Sequence, residues 1–348
     1  MSHRIRRWIA PLVLVLGWTS TASASPWTLR RGEVVVNAGF DFQWADQEFL
    51  DDAPAQQFPL NGRFRAATFV LGARAGFTDD LEFEIQLPLR LVSYRSDAVI
   101  LLDGEGIDFF QENIIDLGRS RQGLGDLWLT ARYNLTRWPV AVALEGRLKT
   151  PTGYDGPEGT FGDNPRSNEE FLAEIERFTA PGNVSDDVAL GDGQVDLNLN
   201  LLLGASIPSR TFFRLDAGYN LRLGGAGDQV LASFKVGQAL GERILVFADL
   251  RFAYTVTQGR LIGVSVAAID PSLPAEEYIG TNNLLLRELR LERDAVDIAF
   301  GGIIRITDAV ELNLAYQRTV WGRNTAQING VFIGFGVRTQ LLDDPPAE

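Results

Sequence analysis

Apolar and polar residues alternate along most of the chain after residue 25, and a repeat of two residues predicts β-strands. The clearest case spans residues 81–92, where the odd positions are apolar and the even positions include Glu82, Glu84 and Arg90. One face of such a strand is therefore apolar and the other is charged. The pattern predicts about twelve strands, with approximate bounds 33–43, 63–77, 81–92, 123–135, 140–149, 193–207, 212–223, 229–240, 244–257, 294–306, 310–318 and 327–340.

The connections between these strands alternate in length. Short turns fall at 78–80, 136–139, 208–211, 241–243 and 307–309. Between them lie segments that are mostly long, at 44–62, 93–122, 150–192, 224–228, 258–293 and 319–326. Short turns at one end and long loops at the other are typical of outer-membrane barrels. We therefore predict an all-β fold, a transmembrane antiparallel up-and-down β-barrel with short periplasmic turns and long extracellular loops.

A soluble β-sandwich would also show alternation, so the polar face has to decide between the two folds. Here that face carries charged residues on most strands. In hydrocarbon a sheet satisfies its backbone groups only by joining its two edges. Aromatic residues near the strand ends match the interfacial girdles of a barrel, namely Trp44, Phe77, Tyr94, Tyr133, Trp138 and Tyr254. These features favour the barrel.

The first 24 residues are predicted to be an export signal. They contain a basic start, an apolar run over 9–16 and the small-residue pattern Ala22–Ala24, which is the arrangement of a signal peptide. An uncleaved membrane anchor is the alternative, but this apolar run is short for the roughly 20 residues that span a bilayer as a helix. We expect the mature chain to begin at Ser25, and residues 25–348 to form a single barrel domain.

Composition excludes several kinds of activity. The chain has one histidine, His3, and no cysteine, so the mature protein lacks the base of a Ser–His or Cys–His nucleophile and the ligands of an ordinary zinc site. Removal of the signal leaves 29 basic against 45 acidic residues, which is unlike a nucleic-acid binder. Asp192 and Asp196 lie close in sequence but lack the ligand order of a calcium loop. We expect no enzyme, no cofactor, no metal site and no nucleic-acid partner.

Charged residues on the polar face are the candidates for the barrel interior. Twelve of them are predicted to line the lumen: Glu82, Glu84, Arg90, Arg132, Glu145, Arg147, Lys149, Arg214, Asp216, Arg222, Asp249 and Arg251. The same pattern adds Arg74, Asp126, Asp196, Lys235, Asp297, Arg305 and Glu311, so that ten groups are basic and nine are acidic. This near balance favours ion-pair ladders over a pore of one charge sign. A polar diffusion path and a mostly filled interior both fit it.

The longest predicted loop, 150–192, is strongly acidic and contains a helical pattern. Ser167–Glu170 has capping-box spacing, so a short helix is predicted over 168–178. Its apolar stripe consists of the gate candidates Phe171, Leu172, Ile175 and Phe178. This helix would either fold inward as a constriction or lie over the barrel rim. Residues 284–293 offer a second amphipathic segment of this kind.

Two short stretches carry a family resemblance. At Gly123–Trp128 and again at Leu148–Gly153 the chain resembles the MetA-pathway phenol-degradation family of Gram-negative outer-membrane proteins. The resemblance covers roughly residues 120–340. It implies a transporter-like barrel that admits aromatic or other small hydrophobic compounds. It supplies no catalytic residues.

Together these observations predict a channel in the outer membrane of a Gram-negative bacterium that takes up small solutes passively. The alternative is a non-conducting structural or surface-interaction barrel that acts through its acidic loops. The expected partners are outer-membrane lipid and lipopolysaccharide, the barrel-assembly machinery and a small-molecule solute.

Overall fold

The fold is a closed barrel of twelve antiparallel strands, seen in a computed structural model. The structure describes residues 26–49, 54–58, 61–95, 99–100, 114–115, 119–154, 173, 189–269 and 284–341. The barrel strands are β1 (Glu33–Ala45), β2 (Arg63–Gly76), β3 (Leu81–Arg95), β4 (Leu127–Thr136), β5 (Ala141–Thr150), β6 (Val195–Ser206), β7 (Thr211–Leu223), β8 (Gln229–Leu240), β9 (Ile244–Thr255), β10 (Asp294–Arg305), β11 (Val310–Arg323) and β12 (Asn329–Gln340).

Each barrel strand pairs with its neighbours in the sequence, and the first and last strands close the ring. The β1–β12 register runs antiparallel from Glu33 opposite Gln340 to Trp44 opposite Asn329. Closure leaves no strand edge of the wall without a partner, which a sheet surrounded by lipid requires. The predicted fold class and strand number are confirmed.

Short turns join the strands at one end of the barrel, and longer connections join them at the other. At the end with the longer connections, Leu261–Ile269 pairs with Leu284–Arg290 as a hairpin. The helical interpretation of 284–293 is therefore wrong: Leu284–Arg290 is extended because it has a strand partner, and pairing outweighs an amphipathic pattern over so few residues. The remaining short strands are Gln47–Phe49, Gln56–Gln57, Val99–Ile100, Ile114–Ile115, Arg119–Leu124 and Thr325–Ala326.

A bulge interrupts the wall between β3 and the chain that leads into β4. Gln86 pairs with Trp128, whereas Leu89 pairs with Leu124, so three residues oppose two. The extra residue reverses which positions face inward, as β-bulges do. One continuous strand over 123–135 was predicted because the alternation on either side of the bulge gives no sign of the inserted residue.

The two faces of the wall differ as the alternation predicts. Large apolar side chains such as Leu199 and Phe83 are exposed on the outer face, at 60% and 48% of their full area. Charged side chains on the opposite face are almost fully buried inside the barrel. Tyr94 is an exception among the predicted girdle aromatics, because its ring lies against the buried Ala66, Val92 and Leu190 rather than at the outer surface.

Within the part of the chain that the structure describes, no helix has both the length and the apolar character to cross a membrane.

Candidate functional site: the barrel interior

The twelve predicted lumen residues lie on the inward-facing positions of β3 to β9. They form three clusters, two towards the short turns and one at the end with the long connections. One surrounds Arg132 near the short turns, one lies on β7–β9, and one surrounds Lys149 where the long connections begin.

Arg132 is the centre of the first cluster. It is 2% exposed, and its guanidinium lies 2.5 Å from Glu82 and 2.6 Å from Glu145. Glu82 also accepts from Arg74 at 2.9 Å, and Glu84 lies 3.7 Å from Arg132. Buried charges remain stable only when paired and hydrogen-bonded. The ladder therefore holds β2 to β5 together from the inside.

The second cluster lies across β7, β8 and β9. Arg214 pairs with Asp216 at 2.9 Å, and Asp216 also accepts from the hydroxyl of Ser233. On the facing positions the ammonium of Lys235 lies 3.4 Å from Asp249. These charged groups are all inside the barrel, with Arg214 only 2% exposed.

An N-terminal segment, residues 26–32, crosses the barrel mouth at the short-turn end. The amide of Leu29 donates to Glu82 at 2.8 Å, and the hydroxyl of Thr28 donates to the carbonyl of Asp79 at 2.9 Å. Asn134 donates to the carbonyl of Pro26. Thr28 and Leu29 are completely buried. Residues 26–31 therefore cover this end by contacts with side chains and turns, whereas the backbone of Gly32 already bonds to Gly76 at the end of β2.

Trp27 anchors the segment in an apolar seat inside the barrel. Its indole is 7% exposed and packs in one cluster with Ala141, Phe212, Phe247 and Ile303, which come from β5, β7, β9 and β10. Burial of a large apolar side chain stabilises by about 1.5–3 kcal/mol. The seat therefore helps to hold the segment in the barrel mouth.

No lumen candidate was predicted in this seat, because sequence analysis assigned only charged residues to the inward face. The available signal was the apolar pair Trp27 and Leu29 directly before the first strand. The residues that pack around this pair come from four strands that are distant in sequence. The local pattern alone therefore does not identify them.

A set of hydrogen bonds joins the chain before β4 to the chain after β5, at the end with the long connections. The hydroxyl of Tyr154 donates to Asp126, and the hydroxyl of Thr152 donates to the carbonyls of Leu124 and Gly125 at 3.0 and 2.9 Å. We call this set the clamp. It brings together the two stretches that carried the family resemblance.

Charged side chains continue the clamp into the lumen. Lys149 lies 2.6 Å from Asp192 and 2.7 Å from Asp196, and Arg222 lies 2.5 Å from Asp192. Arg147 stacks 4.5 Å above the ring of Trp128. The bases of the 150–192 connection are therefore fixed to the barrel wall from both sides.

Burial and neighbouring charges shift the pKa values of the acidic groups in the clamp and beside it. Burial raises the pKa of Asp126, and the bond from Tyr154 and the charge of Lys149 offset only part of that rise. Burial and the bond to Asp126 also raise the pKa of the Tyr154 hydroxyl. Burial alone would raise the pKa of Asp192, but the charges of Lys149 and Arg222 outweigh it and lower that pKa.

The gate candidates Phe171, Leu172, Ile175 and Phe178 lie outside the described residues, as does the helix predicted over 168–178 apart from Ala173. Arg90 is described, and its guanidinium donates to the carbonyl of Leu190 next to the clamp. Arg251 donates to Gln317 at 3.0 Å on the far side of the second cluster.

Comparison with one solved outer-membrane channel agrees with the barrel fold. The COG4313 outer membrane channel from Pseudomonas putida F1 has a TM-score of 0.59 and 12% identity, over 91% of this chain and 99% of that chain. The translocator domain of the autotransporter NalP from Neisseria meningitidis has a TM-score of 0.40 and 11% identity, over 89% of this chain and 90% of that one. The CymD monoaromatic hydrocarbon channel has a TM-score of 0.38 and 10% identity, over 90% of each chain.

Identities this low show the fold alone. No family model matches the sequence, and no curated protein matches it either.

Proposed function

We propose that the protein is an outer-membrane channel through which small solutes pass passively. One observation carries this proposal: the N-terminal segment, rather than the strand wall, closes the short-turn end of a charged interior. The segment can leave the barrel mouth while the hydrogen bonds between the barrel strands stay in place. The closed and open forms are then two populations of one fold.

The solute class that we propose is aromatic or small and hydrophobic. The resemblance to the MetA-pathway phenol-degradation family supports it, and the stretches that carry that resemblance contact each other through Thr152 and Leu124. The apolar seat of Trp27 lies directly on the path at the opposite end.

A non-conducting barrel is the second candidate, because the ladder around Arg132 fills part of the lumen. Arg132, Glu82 and Glu145 are between 1% and 3% exposed. A sealed barrel of this kind would act through its acidic loops, and it predicts that loss of the N-terminal segment changes no conductance.

Single-channel recording in planar bilayers separates the two candidates. A variant that lacks residues 26–31 should conduct with a larger open fraction than the full chain. The matched control is Arg30→Ala with Arg31→Ala, since both side chains are exposed and the seat of Trp27 is untouched. A folded deletion variant that stays non-conducting would contradict the channel and favour the sealed barrel.

The role of the long loop as a gate is a separate part of the proposal. Deletion of residues 158–186 should raise conductance further if Phe171, Leu172, Ile175 and Phe178 form a constriction. Unchanged conductance would place the control of opening at the N-terminal segment alone.

We place the protein in the outer membrane of a Gram-negative bacterium, facing lipopolysaccharide, after export and insertion by the barrel-assembly machinery. Its apolar outer face and closed wall support this location. Membrane fractionation and N-terminal sequencing test it, with Ser25 as the expected first residue.

A further inference from the structure

Two of the side chains that form the seat of Trp27 are aromatic. Phe212 and Phe247 are buried at 4% and 8% exposure, and the indole packs in one cluster with both rings and with Ile303. Gly237 makes room for this arrangement, because a Cβ there would lie 2.1 Å from the Phe212 ring. A planar ring therefore already occupies this position, and the seat fits an aromatic group.

Cations lie over the same seat. The ammonium of Lys235 is 4.7 Å from the centroid of the Phe247 ring. Arg214 faces Lys235 across β7 and β8, one inward position further along β7 than Phe212. An apolar floor with two basic groups at its edge is complementary to a ligand that has an apolar body and an anionic end.

Arg214 has unused hydrogen-bonding capacity. It is 2% exposed, and its Nε and Nη1 have no acceptor among the residues that the structure describes. Its Nη2 pairs with Asp216 at 2.9 Å. Burying a guanidinium donor without an acceptor is unfavourable, because its bonds to water are lost and not replaced. An incoming oxygen with negative charge would satisfy those donors strongly.

We propose that the seat of Trp27 is a binding subsite for a small aromatic carboxylate. The solute ring replaces the indole in the cluster with Phe212 and Phe247, and the carboxylate accepts from Arg214 and pairs with Lys235. This assignment rests on the proposed channel function and names its solute class. A neutral phenol forms weaker bonds with these donors, and an aromatic ammonium group offers them no acceptor oxygen.

Because solute and indole occupy one volume, they exclude each other. Binding of the solute therefore favours the form in which the N-terminal segment has left the barrel mouth. By the same linkage, removal of the indole increases the affinity for the solute.

The test uses Trp27→Ala, which leaves a ring-sized cavity of the kind that binds small aromatics. Titration calorimetry of the full chain in detergent measures benzoate, phenol and benzylamine. Benzoate should bind at least about tenfold more tightly than phenol, with benzylamine weakest, as one charge-assisted bond of about 1.5–3 kcal/mol implies. The wild-type chain should bind benzoate more weakly than Trp27→Ala does.

Adding Arg214→Gln to Trp27→Ala should reduce benzoate affinity to the level of phenol. Arg243→Gln in the same background is the control, because it removes an exposed charge at the β8–β9 turn. If Arg214→Gln does not fold, Lys235→Met should produce the same loss.

Equal affinity for the three compounds, a preference that survives both substitutions, or no binding to folded Trp27→Ala would each overturn the subsite. The conductance of the variant lacking 26–31 is measured with potassium chloride alone. A channel that conducts but shows no benzoate preference therefore contradicts only the subsite, whereas a silent barrel contradicts the channel.

Discussion

The backbone amide of Leu29 donates to Oε2 of Glu82 at 2.8 Å, with 0% and 1% of the two residues exposed. Glu82 also accepts from Arg74 and Arg132, so one carboxylate joins the N-terminal segment to the buried ladder. Glu82→Ala should lower the free energy of unfolding by about 3–5 kcal/mol, because it removes the buried carboxylate that Arg74 and Arg132 share. Urea unfolding in phospholipid vesicles measures this.

Glu242→Ala serves as the control for that measurement, since Glu242 is exposed at the β8–β9 turn. It should change stability by less than about 0.5 kcal/mol. Equal effects of the two substitutions would show that the ladder adds nothing to the fold.

Gly204 makes room for the N-terminal segment. A Cβ at this position would lie 2.4 Å from Pro26 and 2.8 Å from the ring of Trp27. Gly204→Val should therefore expel the indole from its seat. Since loss of a buried Trp side chain costs about 3 kcal/mol, the ratio of open to closed channels should rise about a hundredfold in single-channel recordings.

Gly146→Val is the matched substitution on the outer face, where the nearest atom to a new Cβ is in Leu199 at 3.8 Å. It should leave the open fraction unchanged. A Gly204→Val barrel with wild-type recordings would refute the seat as the closing contact.

Sequence alone was sufficient for the strands, because the lipid and the lumen impose opposite polarities on alternate residues. All twelve predicted strands overlap the observed ones, and Leu81–Arg95 extends its prediction by three residues. Bounds at the short turns moved by at most one residue, whereas bounds at the loops moved by up to five, because neither lipid nor lumen fixes the alternation there. The 284–293 segment failed for this reason.

The interior was less accessible to prediction. Charge pattern places Arg132 and Glu145 on inward positions, but it does not reveal that Glu82 also holds Leu29. Inward apolar residues such as Phe247 were missed because a barrel lumen was assumed to be polar throughout. They become visible only when four strands and the N-terminal segment are assembled.

Asp126 and Asp192 should respond to pH in opposite directions. The pKa of Asp126 is raised in the fold, so its protonated form favours the folded clamp, and its contribution grows as the pH falls from above the raised pKa towards about 3.9. The pKa of Asp192 is lowered, so its contribution is complete above about pH 3.9 and is lost as the pH falls through the lower value. Unfolding measured against pH in Asp126→Asn should lack the first change.

Tyr154→Phe separates the titration of Asp126 from destabilisation of the whole protein at low pH. It removes the donor to Asp126 and should destabilise by about 1–3 kcal/mol at neutral pH, less so at lower pH where Asp126 is protonated. A pH profile of Asp126→Asn identical to that of the wild type would show that this carboxyl titrates normally.

Phe332 covers two glycines at the seam where β12 meets β1. A Cβ at Gly39 would lie 2.6 Å from its ring, and a Cβ at Gly334 would lie 2.7 Å from it. Gly39→Val should therefore reduce the fraction of barrel that migrates as folded on unheated gels. In a Phe332→Ala background, itself destabilised by about 3–5 kcal/mol, Gly39→Val should cost much less, because the clash is gone. Gly146→Val is the control and should have the same effect in both backgrounds. If the losses of folded barrel from Gly39→Val and Phe332→Ala are additive, the Phe332 ring does not stabilise the contact between β12 and β1.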